Sequence, residues 1–532
     1  MRNYQNSSSL PSNFIGHLRT AYALDIRSLA LFRILVSLVV LVDLFLRFPH
    51  TLTLYSDSGP YPRNLSMETI HPDRWSVFFV NGSPEFALLL LVVGMGAALL
   101  MMAGWRTRTA TVVLWVIVLS VQSRNNHANS GADTLLRMSL FWGMFLPLGA
   151  RWSVDARLEH SCTSSAARGI VANAVGFGLL LQVACVYLFT AMMKDGIRWR
   201  DDNNAVYYAL GIADVSNPIG DLLFRNAPNW FFQFATAGTL WLEFAVPVML
   251  ILPLSGGWLR AIGVMLVVAL HLGIASTMWV GLFPAISIAS ISAGLPSSFW
   301  NALEARFRAP QPFPSLLRRF GPGSQHADNR TQDLHTNPAL AGGEGHVLRF
   351  RQTLLFDRDA FSRSLLNIVG AISIVLMLMW NISTVSSYQP PQPLARLAMV
   401  SGIFQQWTMF SPNPQGGTLW FVVEGELASG QKVDLMVPVV ENDFSIHQSV
   451  VWDQSEGHVM TDKYWRKYFE AIQDRENDLF HFADYTCHSW NRENGGDEKL
   501  IRLTISRGFS TTLANSERAD PVFDPVGTWN CG

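Results

Sequence analysis

L-Q-V-A-C-V-Y-L-F-T-A-M-M-K-D-G-I-R-W, residues 181–199, ends an apolar run on a single lysine, Lys194. The chain carries 39 basic residues, yet its only lysines are Lys194, Lys432, Lys463, Lys467 and Lys499. Lys194 is therefore the sole lysine before residue 432; elsewhere in that span arginine supplies the positive charge. Arginine keeps its proton at any accessible pH, whereas a desolvated lysine can release one. A lysine used once, at the end of an apolar run, fits a base. It also fits an interfacial lysine whose stem lies in lipid and whose ammonium reaches the headgroups.

Working outward, the composition agrees with a membrane setting. Of 532 residues, 49% are hydrophobic and 15% charged, against about 25% charged in soluble domains. The 18 tryptophans and 33 phenylalanines suit interfacial aromatic belts. A net charge of −1 offers no general attraction to nucleic acid. The four cysteines (Cys162, Cys185, Cys487, Cys531) lack metal-ligand spacing, and neither a phosphate-binding Gly-rich loop nor H-E-x-x-H occurs. No metal is expected.

Nine apolar segments predict an α-helical polytopic membrane protein: about 29–48, 85–103, 109–123, 134–149, 169–193, 231–254, 260–278, 280–295 and 364–383. The eighth is short and contains Pro284. The first, too long for a signal-peptide core, reads as an uncleaved span. Arginines at 27, 106, 108, 151, 157, 168 and 260, and many between 306 and 363, fall on one side if there are nine spans. By the positive-inside rule that side is the cytoplasm. Residues 1–28 then form an N-terminal cytoplasmic segment, 29–383 the membrane domain, and 296–363 a flexible Arg-rich cytoplasmic insert. The expected location is a bacterial cytoplasmic membrane.

Residues 384–532 read as a small extracytoplasmic α+β domain, periplasmic or extracellular. L-W-F-V-V-E-G-E-L and Q-K-V-D-L-M-V-P-V-V flank a hairpin turn, T-D-K-Y-W-R-K-Y-F-E-A-I-Q-D-R-E-N-D-L-F predicts one amphipathic helix, and K-L-I-R-L-T-I-S another strand. An oxidising compartment there predicts a Cys487–Cys531 disulfide.

Ionisable residues inside spans are costly and point to sites. This topology places Lys194, His127, His271 and Asp43 in one leaflet with Glu243 beneath. Tyr187, Thr190, Ala191 and Lys194 share a helical face. His271 and Glu243 also read as an interhelical packing pair, His127 as a loop cap, Asp43 as structural, and Arg33 as a cytoplasmic-end anchor.

F-R-I-L-V-S-L-V-V-L-V-D-L (32–44), R-N-N-H (124–127), P-L-G-A-R-W-S-V-D-A (147–156) and Q-V-A-C-V-Y-L-F-T-A-M-M-K (182–194) resemble the HTTM family, the horizontally transferred transmembrane domain shared with vitamin K-dependent γ-carboxylase. The likeness continues through V-V-A-L-H-L-G-I-A-S-T-M-W-V-G-L-F (267–283) and G-I-F-Q-Q-W-T-M-F-S-P-N-P (402–414). It implies that Lys194 deprotonates a vitamin K hydroquinone-like reduced quinone, which with O2 becomes a base strong enough to remove a glutamate γ-proton before CO2 adds. It further implies that His127 assists near the reacting oxygen and that Asn126 lines the site, with His271 matching a histidine of the corresponding helix. Tyr187 and Glu243 complete the candidate quinone-binding set. Where the family has a lysine pair this chain has Met193-Lys194, and its outer domain is shorter.

Three readings follow. The first is a carboxylase-like carbon–carbon lyase, or related quinone chemistry, acting on the outer side on an extracytoplasmic peptide or protein. The second is a non-enzymatic quinone- or lipid-binding scaffold in the bilayer that recruits partners through its outer domain. The third, a transporter built on Glu243 and His271, lacks the repeated pair of broken spans such proteins show.

Overall fold

The computed structural model describes residues 22–158, 169–253, 257–307, 358–445 and 462–532, with side chains described from 364 in the fourth stretch. Among them, six helices are long and apolar enough to cross a membrane: Ile26–Tyr55, Pro84–Ala103, Ala174–Met193, Asn229–Ile251, Trp258–Thr277 and Ser364–Val385. The chain-order helices that matter here are α1 (Ile26–Arg47), α2 (Pro84–Ala103), α3 (Thr107–Arg124), α4 (Gly131–Gly143), α5 (Ala174–Met193), α6 (Asn229–Ile251), α7 (Trp258–Thr277), α8 (Phe283–Ser292), α9 (Ser297–Phe307) and α10 (Arg358–Val385).

Three of the nine apolar segments behave differently from the other six. The segment at 134–149 becomes α4, 13 residues, and the one at 280–295 becomes α8, 10 residues. At 1.5 Å per residue these reach about 20 and 15 Å, short of a ~30 Å hydrocarbon core. Both are largely enclosed by neighbours. The segment at 109–123 becomes α3, which turns Thr111, Ser120, Gln122 and Ser123 inward, so its buried face is partly polar.

Helix α5 is the most enclosed of the six, with 78% of its apolar window buried against 33% for α6, α7 and the last span. Asn173 starts it by accepting from the Gly176 amide. Gly178 lets the Trp142 ring lie on the backbone; a Cβ there would stand 2.4 Å from it. The outer helices keep apolar side chains exposed, among them Phe234 and Trp241 of α6, Ile262 of α7 and Ile372 of α10. That suits lipid contact.

Arg27, Arg33 and Arg260 meet at one end of the bundle. Arg33 is fully buried and donates to the carbonyls of Leu148 (3.0 Å), Arg151 (3.3 Å) and Trp152 (2.6 Å). Arg27 bonds Asp25, Asn301 and Glu304, and Arg260 donates to the Ala23 carbonyl. Gly104 caps α2 at φ +72°, where a side chain would be strained and a Cβ would meet Arg33 at 2.7 Å. The insert expected at 296–363 begins with helix α9, pinned by Trp300 Nε1 donating to Ser28 Oγ at 2.7 Å. Residues 308–357, Cys162 and Arg168 lie outside the described residues.

At the opposite end sits a four-stranded antiparallel sheet in the order β2-β1-β3-β4, formed by β1 (Gly417–Leu427), β2 (Lys432–Asp434), β3 (Leu500–Thr511) and β4 (Val522–Asn530). The expected hairpin forms with Glu424 opposite Asp434 and Glu426 opposite Lys432. Its second strand stops early: Asp434 accepts from the Met436 amide, and Met436–Glu441 turns into helix α11. Pro438 has no N–H for a ladder. The single helix expected over 461–480 is two, α12 (Lys463–Ile472) and α13 (Glu476–Glu493). Cys487 of α13 and Cys531 after β4 are at disulfide distance, with Cα atoms 5.3 Å apart.

Candidate functional site

Helix α5 ends at Lys194, which leaves its last carbonyls without helical partners. Arg200 supplies them: Nε donates to the Lys194 carbonyl (2.9 Å) and Nη2 to that of Ala191 (3.2 Å). With its backbone held, the Lys194 side chain donates from Nζ to Oε1 of Glu243 on α6 at 2.6 Å. The side chains are only 4% and 8% exposed. The Trp199 ring lies 4.2 Å from Nζ, a cation–π contact.

One turn back from Thr190 on α5, Tyr187 Oη lies 2.9 Å from Nε2 of His271 on α7. Phe283 packs edge-on against that imidazole, with ring centroids 5.5 Å apart. Thus α5, α6 and α7 each place polar groups in an otherwise apolar interior. Thr190 Oγ1, Glu243 Oε2 and His271 Nδ1 are buried with no hydrogen-bond partner. Buried polar atoms are nearly always satisfied, so three together on neighbouring helices call for an explanation.

The 402–414 segment forms a wall beside this group. Gly196 N donates to the Pro412 carbonyl (3.2 Å), Trp199 Nε1 to that of Phe410 (2.9 Å) and Arg198 Nη1 to that of Pro414 (2.7 Å). Gln405 pairs with Gln182 at 2.6 Å, and Trp407 Nε1 donates to Asn381 at 3.0 Å. These contacts hold the residues after Lys194 against the bundle.

His127 and Asn126 belong to a second group. Asn125 Oδ1 accepts from the His127 and Ala128 amides, which fixes the loop. The start of α4 is capped by Ser130 and Asp133, so His127 does no capping. Its Nε2 lies 3.3 Å from Oδ2 of Asp478, in the first turn of α13, and each side chain is 2% exposed. The two atoms sit at ion-pair distance without hydrogen-bond alignment. Tyr61 and Tyr468 flank the imidazole at 4.8 and 6.1 Å, and Tyr61 Oη donates to Asn126 at 3.3 Å. Burial pushes the Tyr61 phenol up to about 12, with the Asp478 charge adding to it. Burial likewise holds Tyr468 well above an ordinary tyrosine, again reinforced by Asp478.

A third group ties the C-terminal domain to the first span. Asp43 accepts from Arg47 Nε (2.8 Å) and Tyr464 Oη (3.1 Å), with Lys463 Nζ at 3.7 Å. Arg47 also pairs with Asp133. Burial pulls the Lys463 ammonium below the ordinary lysine range, against the attraction of Asp43. Asp43 thus joins the first span to the C-terminal domain through these contacts.

The structure therefore joins Lys194 to Glu243 and Tyr187 to His271, rather than Glu243 to His271 as one reading of the spans had it. Among the described residues, no hydrogen bond or ion pair joins these four to His127 or Asn126. Trp199, Tyr468 and Asp478 were not singled out in the sequence, and Lys463 only as one of five lysines. No family model, curated protein or solved structure matches this chain.

Proposed function

We propose that this chain is an integral membrane protein in which Lys194 and Glu243 form a buried proton-transfer centre for a reduced quinone, in the manner of the HTTM carboxylases its motifs resemble. The observation that carries the reading is the 2.6 Å Lys194–Glu243 pair, beside polar atoms that lack partners. A hydroxylated aromatic ring arriving from lipid fits them: its hydroxyls offer a donor to Glu243 Oε2 and an acceptor for Thr190 Oγ1. Phe283 and Trp199 provide ring surfaces.

Bound there with O2, a hydroquinone supplies the basicity to remove a carbon-bound proton ahead of CO2 addition. The chain's own part is proton handling. The pair rests as an ion pair; when a quinone fills the site and displaces water, a proton passed from Lys194 Nζ to Glu243 Oε1 leaves a neutral amine and a neutral acid with no change in net charge. The amine then accepts the substrate hydroxyl proton. Tyr187 and His271 hold the far side through their hydrogen bond. An extracytoplasmic peptide is the natural acceptor of CO2, since the C-terminal domain covers this end.

A second reading has its own observation. Glu243 sits against the lysine at 2.6 Å, an arrangement that also suits a packing lock in a quinone- or lipid-binding scaffold. The test is hydroquinone-dependent CO2 incorporation by purified protein, with Lys194→Ala and Lys194→Arg beside wild type. The proposal expects loss in both variants. Full activity in Lys194→Arg would exclude the base, because a permanent cation accepts no proton; no incorporation by wild type, with quinone bound, leaves the scaffold.

A further inference from the structure

The C-terminal domain sends a fully enclosed carboxylate, Asp478, against the loop that bears His127. Asp478 is 2% exposed, and its Oδ2 faces His127 Nε2 at 3.3 Å. Its remaining ionic neighbour is Arg475 at 3.8 Å, half exposed on the outer side. The groups around the dyad are Tyr61, Tyr468, Arg124 and Arg475. Burial and Asp478 raise both phenols, and Asp478 is the carboxyl group that faces this imidazole. The loop that bears His127 is itself rigid, through Asn125 and the Ser130/Asp133 cap.

Three anchors hold Asp478 in place. Helix α13 is pinned nine residues on by the Cys487–Cys531 pair. The preceding helix α12 is held by Tyr464 and Lys463 at Asp43 and by Arg466 at Asp214 (2.6 Å). Asp462 ahead of it bonds His50 at 2.9 Å. A carboxylate this well located, beside a buried imidazole, resembles the orienting member of an acid–base pair more than a surface contact.

We infer that Asp478 is a positioning residue for His127: it holds the imidazole with its proton on Nε2 and Nδ1 free to act on the substrate. The C-terminal domain thereby sets the tautomer of an imidazole carried by the membrane domain. Nε2 and Oδ2 lie 3.3 Å apart without hydrogen-bond alignment, and a turn of the ring would bring Nε2–H onto Oδ2, as catalytic bonds commonly tighten when substrate binds. The role in turnover rests on the hydroquinone reading; the dyad itself does not.

Two measurements on the full-length protein test this separately. In 15N-histidine-labelled protein, the His127 ring nitrogens are assigned by their loss in His127→Gln. The expected wild-type state is protonated at Nε2, and both Asp478→Asn and Asp478→Ala move the two resonances. Unchanged ring nitrogens overturn the dyad, whether or not the protein turns over hydroquinone. In the turnover assay, the isosteric Asp478→Asn should lower kcat about 10- to 100-fold with the hydroquinone KM unchanged. The Asp478→Asn/His127→Gln double variant should then lose no more than His127→Gln alone. Wild-type-like kcat in Asp478→Asn, or losses that multiply in the double variant, overturn the positioning role. Wild type inactive with its ring-nitrogen signature intact would sink the hydroquinone reading and leave the dyad standing.

Discussion

Deleting Glu243 should be costly, and deleting Lys194 with it should not. At 2.6 Å and an effective dielectric near 20, the two charges attract by about 6 kcal/mol. Desolvation costs several kcal/mol per ion, so the intact pair is close to neutral for stability. Glu243→Leu removes the attraction and leaves the desolvation. The stranded ammonium has one escape, which is to lose its proton; for an ordinary lysine at pH 7 that costs about 4.6 kcal/mol. The expected destabilisation is therefore about 3–5 kcal/mol, shrinking by about 2.7 kcal/mol on going to pH 9. The Lys194→Met/Glu243→Leu double variant should recover to within about 1 kcal/mol of wild type. Equilibrium unfolding in mixed micelles, at both pH values, measures all three variants. A loss in Glu243→Leu near 0.6 kcal/mol, the average for interhelical hydrogen bonds in membranes, would mean the pair carries no charge. A double variant as unstable as the sum of the singles would likewise refute the argument.

Three further outcomes follow from the geometry. Asp462 is half-buried, which raises its pKa, yet His50 and the Tyr464 and Trp465 amides hold it below the free value of 3.8. Its contribution is therefore complete above about pH 4 and lost as pH falls through the lower folded value. Hydrogen exchange over 463–472 should stay slow from pH 6 to 4 and quicken below; quickening already at pH 6 would point to another group. Cys487→Ser should lower C-terminal domain stability by about 2–4 kcal/mol, given the 44-residue separation, and thermal unfolding unchanged from wild type would argue against the bond. Gly178→Ala drives a Cβ to 2.4 Å from the Trp142 ring and should cost about 1–3 kcal/mol; a neutral or stabilising effect in the same assay would show that the tryptophan has room to move.

Much of this arrangement could be read from residue types alone, because a bilayer makes polar residues conspicuous. Lys194, Glu243 and His271 stood out as interruptions of apolar runs. What could not be read was who pairs with whom. Glu243 meets Lys194 and His271 meets Tyr187 because of the rotation of α6 and α7 about their axes, which hydropathy does not encode. The nine apolar segments looked alike because α4 and α8 are apolar through burial among other helices, and apolarity does not distinguish protein from lipid as the neighbour. Asp478 was hidden for the opposite reason: in a polar, amphipathic stretch an acid near a helix N-terminus is ordinary. Pro438 was a legible stop to the second strand, outweighed there by the run of valines around it.

The claim at the centre is that Lys194 takes a proton from a hydroquinone inside the membrane domain. It is tested most directly without oxygen or CO2, by following the hydroquinone absorbance on binding to the protein in lipid nanodiscs. Wild type should produce the spectrum of the hydroquinone anion, and Lys194→Arg and Lys194→Ala that of the neutral form. An anion spectrum in Lys194→Arg, or a neutral one in wild type with ligand bound, would contradict it.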